Sequence, residues 1–272
     1  MERVLKYPGS KWNLVPELLK RIPKHHTYLE PYFGSGALFF SKEISDIEMI
    51  NDLDHDVVNL FECIRHDPER LSRLVALVPY SREMYDKSYE VITQEPYEKA
   101  LYFLIRCWQG YGFRTNDNKV GWKNDVQGRE RAYALRDWYR VPDRVIAVAE
   151  RLRNVQIEHR PALDVIRRFD FENVFMYLDP PYVLSTRTSK QYANEMTDSD
   201  HQELLDFVLH SKAKIMISGY DSVLYSERLS GWHKEQFHSC AEMGGKRLET
   251  IWYNYDLVEG DVNDFKQLEL FA

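Results

Sequence analysis

Apolar and polar positions follow two periods along this chain, and the changes of period mark its elements. Apolar runs of strand length occur at Thr27-Tyr28-Leu29-Glu30, Glu48-Met49-Ile50, Val155-Gln156-Ile157-Glu158-His159, Val174-Phe175-Met176-Tyr177-Leu178 and Lys214-Ile215-Met216-Ile217-Ser218-Gly219-Tyr220. Strand-like segments around Gln236-Phe237 and Ile251-Trp252-Tyr253-Asn254-Tyr255 follow. Between the runs, apolar residues recur at helical spacing through Leu14, Leu18, Leu19 and Ile22, from Leu163 to Arg168, and from Leu204 to His210. Strands alternating with helices predict a doubly wound α/β sheet.

From Asp54 to about Asn154 the alternation stops. Helical spacing dominates, over Asp54 to Ile64, Glu69 to Val78 and Tyr97 to Trp108. Inside this region the stretch from Gly110 to Trp122 is polar, aromatic and glycine-rich, the composition of a hairpin or long loop. The pattern therefore predicts a sheet domain made of 1–53 and 155–258, a mainly helical insert at 54–154, and a C-terminal tail at 259–272.

Two strand ends carry candidate chemistry. The run Val174 to Leu178 stops at Asp179-Pro180-Pro181-Tyr182. Prolines fix φ and restrict the residue before them, so the Asp179 carboxylate, the Pro180 carbonyl and the Tyr182 ring are expected to hold a nearly fixed geometry. Two acceptors and an aromatic face suit an aromatic amine. Each acceptor takes one N–H, which frees the nitrogen lone pair for attack, while the ring stacks on a base flipped out of a duplex. Earlier in the chain, Pro31-Tyr32-Phe33-Gly34-Ser35-Gly36-Ala37 reads as a glycine turn entering a helix at Leu38-Phe39-Phe40. Asn51-Asp52 ends the following strand. Glu30, Gly34, Gly36 and Asp52 at that spacing describe a site for a nucleoside-containing ligand, with Asp52 placed to hold ribose hydroxyls.

Composition narrows the classes. The 272 residues can bury a full core, and 44% hydrophobic with 29% charged residues is an ordinary globular balance. Cys63, Cys107 and Cys240 are too few and too scattered for a disulfide framework or a zinc site. No metal is expected. The start Met1-Glu2-Arg3-Val4-Leu5-Lys6 is no signal peptide and no apolar run reaches membrane-spanning length, which predicts a cytoplasmic protein without a membrane partner. The net charge of −7 argues against a protein coated in basic surface, but from Phe103 to Arg144 nine basic side chains face five acidic ones, a local +4. Arg114, Asn116, Asn118 and Lys123 in the polar loop offer donors and acceptors for base edges or phosphates. Arg187 and Tyr192 lie in a second polar loop after the Asp-Pro-Pro-Tyr stretch.

Taken in order, Lys6-Tyr7-Pro8-Gly9-Ser10-Lys11, Glu30-Pro31-Tyr32-Phe33-Gly34-Ser35-Gly36, Asn51-Asp52 and Asp179-Pro180-Pro181-Tyr182 resemble the ordered motifs of Dam-like DNA adenine methyltransferases. The resemblance extends from Lys6 to about Tyr255. It implies a Rossmann-like methyltransferase sheet with an inserted target-recognition subdomain, acting on double-stranded DNA. It also implies S-adenosylmethionine held by Tyr7, Lys11, Glu30, Phe33, Gly34, Gly36, Asp52 and Asp179, with Asp179, Pro180 and Tyr182 catalytic and methyl transfer to the adenine 6-amino group.

Two departures stand out. Arg160-Pro161-Ala162 occupies the place where many relatives carry an acid, and the insert lacks the Phe-Asn-Val-Pro-Tyr-Gly stretch of GATC-reading members, so GATC is not implied as the target. An RNA base amino-methyltransferase and a non-catalytic DNA-binding protein on the same fold are the alternatives. The Lys/Gly opening and the insert favour DNA over RNA, while retention of Asp179 and Gly34 favours catalysis. A nicotinamide oxidoreductase would leave Asp-Pro-Pro-Tyr unexplained. In the tail, Gln267-Leu268-Glu269-Leu270-Phe271 resembles the short peptide by which bacterial DNA enzymes dock on the sliding clamp, with Gln267, Leu268, Leu270 and Phe271 as the anchors.

Overall fold

The computed structural model describes residues 1–112, 118–125, 133–186, 192–240 and 246–257. Five strands run parallel: β1 (Thr27–Glu30), β2 (Ile47–Asn51), β3 (Gln156–Glu158), β4 (Val174–Leu178) and β5 (Lys214–Gly219). β6 (His233–Cys240) and β7 (Lys246–Tyr253) form an antiparallel pair, and β7 joins the sheet antiparallel to β5. The order is β3-β2-β1-β4-β5-β7-β6. This is the doubly wound α/β architecture that the alternation of periods predicts. Strand order reverses between β1 and β4, so their C-terminal ends open a crevice, the place where open α/β sheets bind ligands.

Ten α-helices accompany the sheet among the described residues: α1 (Val15–Leu19), α2 (His55–His66), α3 (Pro68–Leu77), α4 (Arg82–Glu90), α5 (Pro96–Gln109), α6 (Tyr133–Tyr139), α7 (Val141–Leu152), α8 (Ala162–Arg168), α9 (Asp198–Val208) and α10 (Val223–Arg228). Their starts follow local chemistry. The Asp54, Asp67, Ser81 and Glu95 side chains each accept a first-turn N–H of α2, α3, α4 and α5, while Pro68 and Pro96 sit where a missing N–H costs nothing. Thr197 and Asp200 form a reciprocal capping box that starts α9 six residues before Leu204.

The strand residues alternate between two apolar layers. Tyr28, Phe175, Tyr177 and Met216 join one cluster with Phe61 of α2, Leu104 and Trp108 of α5, and Val145 of α7. Leu29, Met49, Met176, Ile215 and Ile217 join another with Val165 of α8 and Leu204 and Leu205 of α9. Every residue of β1 and β4 is buried because both faces are covered, and such strands read as unbroken apolar runs. Helices of the 54–154 segment thus pack directly on the sheet. A buried ion cluster reinforces this: Glu48 of β2 pairs with Lys42 (2.6 Å) and with both terminal nitrogens of Arg151 on α7.

Two local expectations need correction. The Leu14 to Ile22 pattern yields a helix only over Val15–Leu19, followed by turns. Leu38-Phe39-Phe40 forms hydrogen-bonded turns rather than a helix, closed by Phe40 N–H to Gly36 O and Lys42 N–H to Leu38 O, both 2.9 Å. All three side chains are buried, and only a few residues separate them from β2. In the insert, Gly110 and Trp122 make an antiparallel bridge flanked by Tyr111 N–H to Gly121 O (2.8 Å) and Lys123 N–H to Gln109 O (2.7 Å), so the base of the polar stretch is paired as a hairpin.

Candidate active site

Asp179 directly follows β4, and the register of β1 on β4 sets Glu30 and Asp179 at neighbouring strand ends. The Lys11 ammonium donates to Asp179 Oδ2 at 3.0 Å and lies 2.9 Å from Oδ1, and it also donates to Gly9 O at 2.6 Å. Ser218, near the end of the adjacent β5, donates to Asp179 Oδ1 at 2.9 Å, and Tyr177 Oη lies 2.9 Å from Ser218 Oγ. Burial pushes the Asp179 carboxyl above its ordinary value, while Lys11 and Ser218 oppose that rise. Burial alone would lower Lys11, but Asp179 and Glu249 hold its ammonium charged.

Pro180 and Tyr182 are buried beside Asp179. The Tyr182 hydroxyl donates to Glu249 Oε2 at 2.6 Å, its ring meets Tyr220 edge-on at 4.4 Å, and Lys11 Nζ lies 4.8 Å from the ring centre.

The glycine turn is fixed from below. Gly34 and Gly36 have φ of +48° and +63°, where side chains are strained. A Cβ on Gly34 would lie 2.9 Å from the Tyr7 ring, and one on Gly36 would lie 2.4 Å from the Phe33 ring. Phe33 itself is buried, with its ring edge-on to Phe39, Phe40 and Phe61. Asp52 accepts the Gly34 N–H at 2.7 Å and the Asp54 N–H at 2.8 Å. Its carboxylate therefore splints the turn, and each oxygen keeps further acceptor capacity. Burial raises Asp52 to about 7. Burial also raises Glu30 to about 8, against the opposing hydrogen bond it accepts from Tyr28 Oη at 2.6 Å.

These groups surround one cavity of about 360 Å³. Tyr7, Lys11, Glu30, Phe33, Gly34, Asp52, Asp179 and Tyr192 line it. Gly36, Pro180 and Tyr182 adjoin it without lining it. Eight acidic side chains and two cations stand on the wall, and even with Glu30 and Asp52 partly protonated the balance favours a cationic ligand. Tyr192 stands in the wall against the N-terminal turn, with its hydroxyl donating to Pro8 O at 3.4 Å. Asn118 is exposed and Lys123 half-buried on the insert, and neither lines the cavity. Arg114, Asn116, Arg187 and the tail anchors lie outside the described residues. Among the described residues no cluster of His, Cys, Asp and Glu has the form of a metal site. No helix there is long and apolar enough to cross a membrane.

Sequence reasoning assigned no role to Ser218, Glu249 or Asp54. Ser218 and Glu249 fall inside stretches that carry the family resemblance, but their partners are decided by strand register. Asp54 both caps α2 and accepts from Tyr7 Oη at 3.1 Å; its position directly after the Asn51-Asp52 motif was the available signal.

Comparison with known proteins places the chain in a family. The DNA adenine methylase of Escherichia coli (strain K12) is 24% identical over 240 residues, covering 82% of each chain. The DNA adenine methylase of Serratia marcescens is 26% identical over 233 residues, 81% of this chain and 84% of that one. The type II methyltransferase M1.LlaDCHI of Lactococcus lactis subsp. cremoris is 25% identical over 281 residues, 92% of this chain and 94% of that one. The family description D12 class N6 adenine-specific DNA methyltransferase matches residues 7–243, a span that holds the glycine turn, the insert and the Asp-Pro-Pro-Tyr end of β4, and the chain belongs to that family.

Proposed function

We propose that this DNA adenine N6-methyltransferase uses S-adenosylmethionine as methyl donor and acts on an adenine flipped out of double-stranded DNA. The acidic cavity beside a glycine turn that a Cβ would obstruct is the observation that carries the cofactor reading. Tyr7, Lys11, Glu30, Phe33, Gly34, Gly36, Asp52 and Asp179 would hold it. When bound, the cofactor supplies a methyl group made electrophilic by a positive sulfonium, chemistry that needs no Lewis acid.

The protein's own part is to prepare the amine. Asp179 and the Pro180 carbonyl each accept one N–H of the adenine 6-amino group, which draws the nitrogen toward tetrahedral geometry and frees its lone pair. Lys11 keeps Asp179 ionised until the amine arrives and then yields its place. Tyr182, whose ring lies under the Lys11 ammonium in this structure, gives the base a face to stack on once Lys11 has moved aside. The 54–154 subdomain reads the sequence. Arg114, Asn116 and Asn118 contact base edges, Lys123 contacts phosphate, and Arg187 and Tyr192 flank the extruded base. The residues Gln267, Leu268, Leu270 and Phe271 tether the enzyme to the bacterial sliding clamp in the cytoplasm, raising its effective concentration on newly replicated DNA.

The decisive experiment is methyl transfer from labelled S-adenosylmethionine to duplex DNA, with modified adenines mapped by sequencing. Asp179→Ala is expected to lose about 10²–10³ in rate with the fold intact. Retention of more than about a tenth of wild-type turnover would refute the mechanism. In the same assay Arg114→Ala should change the modified sequence, whereas Lys123→Ala should weaken binding to all sequences and lower the salt slope by about 1.

A further inference from the structure

We infer that Glu249 is a positioning residue for methyl transfer, acting through the ring of Tyr182. It rests on the reading of Tyr182 as the face that holds the flipped base.

The two prolines fix the backbone leading to Tyr182 but not the torsions of its side chain, and a stacking ring must hold its plane. Glu249 supplies the missing constraint. It comes from β7, where Thr250 pairs with Gly219 at the end of β5, so the carboxylate projects from just beyond that strand into the region of the Asp179 loop. Tyr182 and Glu249 are 7% and 8% exposed, and their hydrogen bond is 2.6 Å long. A phenol donating to a carboxylate at this distance is a strong, directional bond. Edge-on contact with Tyr220 at 4.4 Å restrains the ring from another direction.

The same bond has an electronic effect. A phenol proton shared with a carboxylate leaves more negative charge on the ring, and the ring face then attracts positive charge more strongly. Lys11 Nζ, 4.8 Å from the ring centre, already exploits that face. As the new N–C bond forms and the methyl–sulfur bond breaks, the positive charge of the sulfonium passes to the adenine amine and spreads into the base until the amine gives up a proton to water. A ring polarised by Glu249 stabilises that charge. Stability alone is a weak reason for a buried carboxylate, because well-packed apolar replacements of buried charged groups are often neutral or stabilising.

The test uses the full chain and a duplex carrying the sequence that the wild type methylates, with 2-aminopurine at the target position in a parallel substrate. Single-turnover methylation, DNA affinity, 2-aminopurine fluorescence and melting midpoint are measured for Tyr182→Ala, Tyr182→Phe, Glu249→Gln and the Tyr182→Phe/Glu249→Gln pair. Glu249→Gln and Tyr182→Phe should each slow methylation about tenfold, with DNA affinity within about twofold of wild type and an altered 2-aminopurine signal. The pair should be no slower than either single change, because both remove one interaction. Multiplying losses, or a rate that falls only in step with the melting midpoint, would overturn the inference. If Glu249→Gln does not fold, Tyr182→Phe carries the test alone, and a wild-type rate for it overturns the inference. Impaired Tyr182→Ala with a normal Glu249→Gln removes only the role of Glu249. A wild-type rate for Tyr182→Ala removes the underlying reading of Tyr182.

Discussion

Lys11 and Asp179, 168 positions apart in the chain, form a partly buried ion pair in which one ammonium reaches both carboxylate oxygens, at 2.9 and 3.0 Å. The pair joins the N-terminal motif to the end of β4. Under the mechanism proposed above, it also puts a cation where the substrate's amine nitrogen would be held.

The pair makes the acid limb of the pH profile a test. Burial raises the Asp179 carboxyl, Lys11 opposes that rise, and the ionised carboxylate accepts an N–H far more strongly than the protonated acid does. Lys11→Met removes the opposing charge, so the carboxyl rises further and the acid limb of kcat/KM moves to higher pH. An unmoved limb, or one displaced downward, would mean that Asp179 ionisation does not govern the rate.

Cofactor binding should release protons at neutral pH. Burial holds Glu30 at about 8 and Asp52 at about 7, so both are partly protonated near neutrality. A cationic ligand favours their ionised forms, and binding then expels protons. Well above pH 8 both are already ionised and the release should vanish. Titration calorimetry of S-adenosylmethionine in buffers of different ionisation enthalpy measures this directly, and Glu30→Gln should reduce the release.

Glu48 is the stability test. Burial alone would raise its carboxyl, but Arg151 and Lys42 hold it below its ordinary value. Its contribution is therefore present above the unfolded carboxylate value and is lost as pH falls through the lower folded value. Glu48→Gln leaves Lys42 and Arg151 buried without their anion and should cost about 3–5 kcal/mol in denaturant unfolding. The variant should also show a weaker dependence of stability on acid than the wild type. A loss below about 1 kcal/mol would show that water reaches the cluster.

The tail proposal can be tested without the rest of the chain. A labelled peptide of residues Asn263–Ala272 should bind a bacterial sliding clamp saturably, and replacing Leu270 and Phe271 by Ala should abolish binding. Absence of saturation into the high micromolar range, or indifference to the two replacements, ends the idea.

The sequence by itself determined the elements whose cause is local. An unbroken apolar run ending in Asp179-Pro180-Pro181 gave β4 and a rigid strand end, because burial on both faces removes alternation and proline removes freedom. Asp54, Asp67-Pro68 and Glu95-Pro96 marked the starts of α2, α3 and α5 for the same kind of reason. α7 carries the same local signal, with Val141, Val145, Val148 and Leu152 at helical spacing, although sequence reasoning did not single it out, whereas α4 buries only Tyr85 and Ser88 and its face makes sense against the neighbours it meets. Only the tertiary structure decided that β4 lies between β1 and β5, that Asp52 splints the Gly34 turn, and that Lys11 meets Asp179. It alone brought Tyr182 to Glu249, 67 positions away. Periodicity records which face of an element is buried, but not which neighbour buries it. Strand order and register make that choice through contacts spread over the whole chain, so a polar pair formed between distant strands leaves no trace in the spacing of either partner.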